Sequence, residues 1–133
     1  MNKNKNSLVK IIITAVVLIA FALMNFLGSV KYELRTDSIN VKGIFTQVEV
    51  PYNVIDDVAL VDDIDYGSRL GVSTFSIVSG TYTNSAYGKY KLMAYRNTAK
   101  HIVVSYDGEI LVFNQSTIED TQAAYQSLLE KLD

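Results

Sequence analysis

The sequence predicts a mainly β domain behind a membrane-spanning helix: a bent antiparallel sheet of about seven strands, forming a partly open barrel and capped by a C-terminal helix. Three observations predict this class. An uncharged apolar run occupies residues 11–27, short stretches of alternating polar and apolar residues follow it, and helical spacing of apolar residues begins near Ser116. The expected division is a tail at 1–7, the membrane helix at 8–30 and one domain at 31–133.

The apolar run Ile11–Leu27 predicts an uncleaved anchor. About twenty helical residues cross the hydrocarbon core, residues 8–30 supply them, and the long side chain of Lys10 reaches the headgroups. Lys3, Lys5 and Lys10 ahead of an apolar segment also fit a signal peptide, whose cleavage would leave a secreted domain. The run is longer than the apolar part of an ordinary signal and lacks an A-x-A pattern at its end, which favours the anchor.

Charge indicates the orientation and excludes one class of partner. The lysines of the short N-terminal tail favour a cytoplasmic N-terminus and an extracytoplasmic domain, although Lys31 and Arg35 on the other flank make the asymmetry modest. The chain has 12 Lys and Arg and 14 Asp and Glu, and three of the lysines precede the domain. An acidic domain is unsuited to nucleic acid, whose binding needs a basic face, and to anionic lipid through charge alone.

Period-two alternation predicts the strands of the domain. The first three, within residues 31–50, are expected to form an antiparallel meander, and Gly67, Ser68 and Gly71 are interpreted as a loop. Asp107-Gly108 predicts a two-residue hairpin, because this dipeptide tolerates positive φ. The predicted strands lie at 31–36, 39–43, 45–50, 58–61, 76–82, 89–96, 101–106 and 109–113.

The end of the chain predicts an amphipathic helix. Ser116 and Glu119 form a capping-box pattern at its start, and Ile118, Tyr125 and Leu132 are among the apolar residues that recur at helical spacing. The apolar face needs a surface to cover, and the open end of the bent sheet provides one.

Several segments between about Tyr32 and Leu132 carry a likeness to a known family. They are SINVKG, VALVDD, RLGVSTFSIVSGTY, YGKYKLMAY and HIVVSYDGEILVF, followed by the final helix. In these segments the sequence resembles the bacterial pleckstrin-homology-like (PH-like) domain family. The resemblance implies a PH-like fold, frequent attachment to membrane helices and no shared catalytic residues. The hairpin around Gly43 carries only Lys42 as a basic residue, so a eukaryotic type of phosphoinositide site is not implied.

Candidate residues for catalysis or metal binding are few. His101 is the only histidine, no G-x-S-x-G motif is present, and we interpret His101 as a strand-edge residue without a catalytic role. Asp63-x-Asp65-x-Gly67 could hold calcium, but the third carboxylate and the distant Glu of a calcium loop are missing. Solvated loop charges are therefore favoured for Asp63 and Asp65 and for their acidic neighbours, and no metal or cofactor is expected.

A ligand-binding surface is the remaining possibility. Tyr87, Lys89 and Lys91 combine aromatic and basic side chains as headgroup-binding or nucleic-acid-binding surfaces do. Strand alternation favours a simpler interpretation, with Lys89 and Lys91 solvated on one face and Tyr90 in the core. The nine tyrosines are expected at the rim of the core, where their hydroxyl groups find partners.

The function expected from these observations is protein–protein recognition or scaffolding beside the membrane, without catalysis. A lipid or small-ligand binding module is the alternative, and a hydrolase built around His101 is a distant third. A filled core with an exposed strand edge would favour a protein partner, whereas an apolar cavity would favour a small ligand.

Overall fold

The computed structural model of the protein describes residues 2–74 and 76–133. Two α-helices and nine strands lie within these residues, with a short 3-10 helix at Tyr52–Val54. The elements are α1 Asn2–Leu27, β1 Lys31–Leu34, β2 Ser38–Lys42, β3 Gln47–Pro51, β4 Ile55–Val61, β5 Ser68–Ser73, β6 Ile77–Asn84, β7 Gly88–Tyr95, β8 His101–Tyr106, β9 Glu109–Phe113 and α2 Ile118–Leu132.

The strands form two sheets. β1, β2 and β3 make the predicted antiparallel meander, and the second sheet has the order β4-β8-β9-β7-β6-β5. Neither sheet closes on itself, and the C-terminal helix α2 contacts β4 and β8. The predicted fold class, mainly β with a C-terminal helix and an apolar helix before the domain, is confirmed.

One pair of strands is parallel, whereas the sequence was interpreted as wholly antiparallel. β7 and β9 run side by side with Leu92 opposite Val112. The short connection 96–100 carries the chain two strand positions away from β7 before β8 begins, which leaves one position open between them. The tight turn at Asp107-Gly108 then brings β9 back into the space between β7 and β8.

A strand occupies the stretch interpreted as a loop, which brings the number of strands to nine. β5 pairs along its whole length with β6, and Gly71 lies opposite Gly80. A Cβ atom added to Gly80 would lie 2.6 Å from the Cα atom of Gly71. Gly71 therefore marks a close approach of two backbones within a sheet and not a chain reversal.

The hairpin at Asp107-Gly108 was predicted correctly, and the N-cap of the C-terminal helix was predicted one residue too early. Asp107 and Gly108 have φ values of 49° and 74°, which is the predicted two-residue turn. The N-cap of α2 is Thr117 and not Ser116, since the Thr117 hydroxyl accepts a hydrogen bond from the Asp120 amide at 3.0 Å. Two adjacent hydroxyl residues can both cap a helix, so composition alone could not separate them.

Apolar side chains are buried on both faces of the larger sheet. The inner cluster lies between the two sheets and includes Leu111 and Phe113, with Ala124 and Leu128 of α2 packed on it. The outer cluster includes Val78, Tyr82, Tyr90, Leu92, Ala94, Val103 and Val112. Ile64 and Tyr66 pack on the outer cluster because the connection from β4 to β5 joins opposite edges of the sheet across this face.

Helix α1 is long and apolar enough to cross a membrane. Its segment Asn4–Leu23 has a mean hydropathy of 2.3 and no buried side chains. A signal sequence can have the same length and apolar composition. The connection to β1 is short, and its last residue, Val30, is already buried in the domain. The Val30 amide donates to the Tyr95 hydroxyl at 3.0 Å, and the Gln115 side chain donates to the Val30 carbonyl at 3.2 Å.

Candidate binding groove

A groove runs along the larger sheet, and the β2–β3 hairpin forms a wall at one end of it. It consists of two adjoining cavities, of about 350 Å³ and 310 Å³, which share Thr81 and Lys91. The first lies between the hairpin tip 44–47 and residues of β5 and β6, and the second ends at Gly108 and Glu109 beside Lys89. We call both cavities together the inter-sheet groove.

Glycine and serine set the distance between the hairpin and the larger sheet. The Ser79 hydroxyl donates to the Ile44 carbonyl at 2.8 Å, and the Gly43 amide donates to the Thr46 carbonyl at 2.8 Å. A Cβ atom on Gly43 would lie 2.5 Å from the Ser79 hydroxyl oxygen and 2.7 Å from Met93 Cγ. Only glycine therefore allows the hairpin to approach this closely, and this contact builds one wall of the groove.

The structure brings together two of the three residues proposed from the sequence. Lys89 and Lys91 both line the groove, and the Lys91 ammonium donates to the Thr81 hydroxyl at 2.7 Å. Tyr87 lies in the outer cluster, where its ring packs against that of Tyr90 at a centroid distance of 5.4 Å. The alternation along β7 is as predicted, with Tyr90 buried between two lysines.

Two apolar residues of the groove were missed as site residues by the sequence reasoning. Phe45, assigned to a strand, lies in the hairpin turn and is 87% exposed, and Leu70, assigned to a loop, lies on β5 and is 81% exposed. Both line the same cavity. The available signal was their immediate proximity to Gly43 and Gly71, which mark close backbone approaches in a β-rich sequence.

His101 is the first residue of β8, as predicted, but it is buried within the larger sheet and does not lie at an exposed edge. It is 2% exposed because β8 lies between β4 and β9 and the chain carrying Tyr66 covers its ring. His101 Nδ1 lies 3.2 Å from the Ala99 carbonyl, which only accepts, so Nδ1 donates there. Nε2 then accepts from the Tyr66 hydroxyl at 2.8 Å. Both ring nitrogens have structural partners in the folded domain.

The pKa of His101 predicts a pH-dependent stability. Burial lowers this pKa from 6.5, with backbone hydrogen bonds of Ala99 and Asp62 opposing the shift. Below about pH 6.5 His101 becomes protonated in the unfolded chain but stays neutral in the folded domain. The free energy of unfolding therefore falls with falling pH. The slope is at most about 1.4 kcal/mol per pH unit. Urea midpoints measured from pH 7.5 to 5.5 should decrease in the wild type and decrease less in His101→Gln; equal slopes would contradict the assignment.

The acidic residues do not form a metal-binding cluster among the residues that the structure describes. Asp62 forms an ion pair with Lys100, and the Asp65 carboxylate accepts a hydrogen bond from the Gly67 amide at 3.0 Å. Asp63 and Asp65 are both exposed. The described residues of this loop therefore add no further ligand to the Asp63-x-Asp65-x-Gly67 pattern.

Several tyrosine hydroxyl groups have the partners expected at the rim of a core. The Tyr52 hydroxyl donates to the Arg35 carbonyl at 2.7 Å, and that of Tyr90 donates to the Tyr66 carbonyl at 2.8 Å. Burial raises the pKa of Tyr66 and of Tyr90. These phenols are therefore neutral at physiological pH and act as structural hydrogen-bonding groups.

A comparison with known protein families matches the domain that follows α1. A family model described as the bacterial PH domain matches residues 30–127, which include all nine strands and most of α2. The chain belongs to the bacterial PH domain family. This confirms the resemblance found in the sequence, and PH domains are generally binding modules without catalytic activity. A search of curated proteins and a search of solved structures each found no match to the chain.

Proposed function

We propose that this PH domain is a membrane-anchored binding module that holds an extended segment of another protein in the inter-sheet groove. The observation that carries the proposal is the groove itself, whose first cavity joins the edge strand β5 to Lys91 and whose second cavity adds Lys89. Helix α1 would keep the domain at the membrane surface, with residues 1–7 in the cytoplasm and the domain on the other side. Cleavage after α1 would instead release the same module as a secreted protein.

The edge strand β5 supports recognition of an extended chain. It is the last strand of the larger sheet, so one side of its backbone faces away from the sheet. An extended segment can pair with such an edge through backbone hydrogen bonds. Leu70 offers an exposed apolar contact there, and Gly71 has no side chain to hinder approach.

The lysines of the groove support a partner segment that carries an acidic residue. Lys89 and Lys91 line one cavity with a single acidic residue, Glu109, although acidic residues predominate in the domain. Their charges would attract a carboxylate and set the register of the bound segment more than they would raise its affinity. Tyr87 lies on the other face of the sheet and has no part in this proposal.

Packing of the core favours a protein partner over an enclosed lipid or small molecule. Side chains such as Leu111 and Phe113 fill the space between the sheets and are fully buried. The groove lies outside this core and is lined by polar as well as apolar residues. A lipid-binding pocket would need a larger enclosed apolar volume. The anchor would also raise the effective concentration of the domain toward partners in the same membrane.

Photocrosslinking in native membranes tests the proposal. Leu70 is replaced by p-benzoylphenylalanine in the full-length chain, and Ile118, an exposed apolar residue on α2, is replaced in a matched control. We expect a discrete protein adduct from position 70 and none of the same mass from position 118. Adding Lys89→Glu and Lys91→Glu should reduce the yield of the adduct about tenfold, which corresponds to a loss of about 1.4 kcal/mol.

Two results would contradict this function. The same adducts from both positions would show that the groove has no special role, and an undiminished yield after charge reversal would remove the lysines from the proposal. Lipid conjugates from position 70 without any protein adduct would favour the lipid-binding alternative. Resistance of the full-length chain to alkaline extraction from the same membranes reports separately on the anchor.

A further inference from the structure

The tip of the β2–β3 hairpin lies beside the end of α1. Gly28 and Ser29, which follow the helix directly, line a cavity of about 310 Å³ together with Lys31, Lys42 and residues 43–45 of the hairpin. The apolar run of the sequence ends one residue before Gly28. In an anchored chain, the hairpin tip would therefore lie at the level where the helix leaves the membrane.

Phe45 is unusual in both its exposure and its backbone conformation. Its side chain is 87% exposed, and its φ of 55° lies in the left-handed region that residues with a Cβ atom rarely adopt. A large aromatic ring is thus directed into solvent by an unfavourable backbone conformation. Aromatic residues favour the interface between membrane and water, so a neighbouring bilayer would turn this exposure into a favourable contact.

The turn that carries Phe45 is fixed to the larger sheet. The neighbouring Ile44 carbonyl accepts the hydrogen bond from Ser79, and Gly43 packs too closely on Ser79 and Met93 to admit a Cβ atom. The position of the backbone that carries the ring is therefore set by tertiary contacts, although the ring itself is exposed. A fixed, projecting aromatic residue suits a surface that it enters as part of a rigid body.

Two lysines next to Phe45 lie opposite each other, and their like charges destabilise this part of the domain when no anion is bound. Lys31 and Lys42 are paired directly opposite each other on β1 and β2, and both are exposed. Like charges at such positions repel each other. Within the described part of the chain, neither lysine forms an ion pair. An anionic phosphate between the two ammonium groups would offset the repulsion.

A third cationic side chain lies beside the helix. Phe21 of α1 lines a cavity of about 380 Å³ with Ser73, Thr74 and Arg96. The Arg96 guanidinium donates to the Thr74 carbonyl at 3.1 Å, which holds it at the turn between β5 and β6. Phe21 lies six residues before the end of α1, so this contact is on the helix itself, and Arg96 is not part of the surface beside Gly28 and Ser29.

We propose that the domain docks on the bilayer beside its own anchor through the Phe45 patch, formed by Lys31, Lys42, Ile44 and Phe45. Phe45 enters the interfacial layer, and the two lysines bind the phosphate groups of anionic phospholipids. This inference rests on the proposal that α1 spans the membrane. Docking would fix the orientation of the inter-sheet groove, because Ile44 and Phe45 also line its first cavity.

A tryptophan reporter tests the docking. The chain contains no tryptophan, so Phe45→Trp introduces a single probe, and Ile118→Trp provides a matched control on α2. The full-length variants are reconstituted into phosphatidylcholine vesicles, with or without phosphatidylglycerol, that contain brominated lipids as quenchers. We expect the tryptophan at position 45 to be quenched about twofold or more, and that at position 118, which does not belong to the patch, to be quenched less. Lys31→Glu with Lys42→Glu should weaken the quenching in phosphatidylglycerol vesicles.

The outcomes separate the two proposals. Full-length protein that floats with the vesicles but shows equal, weak quenching at positions 45 and 118 would overturn the docking and leave the anchor intact. Protein that fails to float with the vesicles would overturn the anchor and the docking together. Quenching that is the same with and without phosphatidylglycerol, and that is unchanged by charge reversal, would overturn the role given to the lysines.

Discussion

Replacing Phe113 by alanine should lower the free energy of unfolding of the domain by about 3–5 kcal/mol. Phe113 is fully buried in the inner cluster, and its ring lies 6.1 Å from that of Tyr32, measured between centroids. The side chain comes from β9 and contacts the smaller sheet, so alanine would leave a cavity between the two sheets. Partial relaxation of the surroundings cannot fill such a space.

Phe45→Ala is the matched control, because it removes the same atoms from an exposed site. We expect it to change the free energy of unfolding by less than about 0.5 kcal/mol. Urea titration in mild detergent, followed by tyrosine fluorescence, measures both variants, since all nine tyrosines lie outside α1. Comparable losses in the two variants would contradict the placement of Phe113 in the inter-sheet core.

Replacing Asn114 by leucine should cost about 2–4 kcal/mol, although leucine is of similar size and more apolar. The Asn114 side chain is fully buried and serves as a connector between two chain segments. Its oxygen accepts from the Tyr95 amide at 2.7 Å, and its nitrogen lies 3.2–3.3 Å from the carbonyls of Tyr95, Thr98 and Lys100. Leucine would leave these backbone groups without the partner that compensates their burial.

Asn97→Leu is the control for this variant, since Asn97 is exposed in the same connection between β7 and β8. The same titration should detect a loss only for Asn114→Leu. Hydrogen exchange gives an independent readout, because the Tyr95 amide should exchange faster once its acceptor is removed. Unchanged exchange at Tyr95, together with wild-type stability, would be incompatible with the network.

Sequence patterns were sufficient for elements whose signals are local. The alternation along 101–106 and 109–113, the dipeptide between them and the helical spacing after Ser116 each depend on neighbouring residues. The register confirms the hairpin, in which Tyr106 lies opposite Glu109. The same local reasoning placed Lys89 and Lys91 on one face of β7.

The remaining features depend on contacts between residues far apart in the chain. Alternation does not reveal which strands become neighbours, so the parallel pairing of β7 with β9 was not predicted. His101 was assigned to a strand edge for the same reason, because its cover, Tyr66, is 35 residues away. The groove as a whole was not predicted, since its walls come from a hairpin and four strands that the sequence alone does not bring together.

The short connection between α1 and β1 has a mechanical consequence. Both backbone groups of Val30 are hydrogen-bonded to side chains of the domain, from Tyr95 and Gln115, so only Gly28 and Ser29 remain to act as a hinge. Two residues give the domain little radial reach from the helix axis. Tilting or rotation of the helix would therefore move the helix and the domain together, largely as one rigid body.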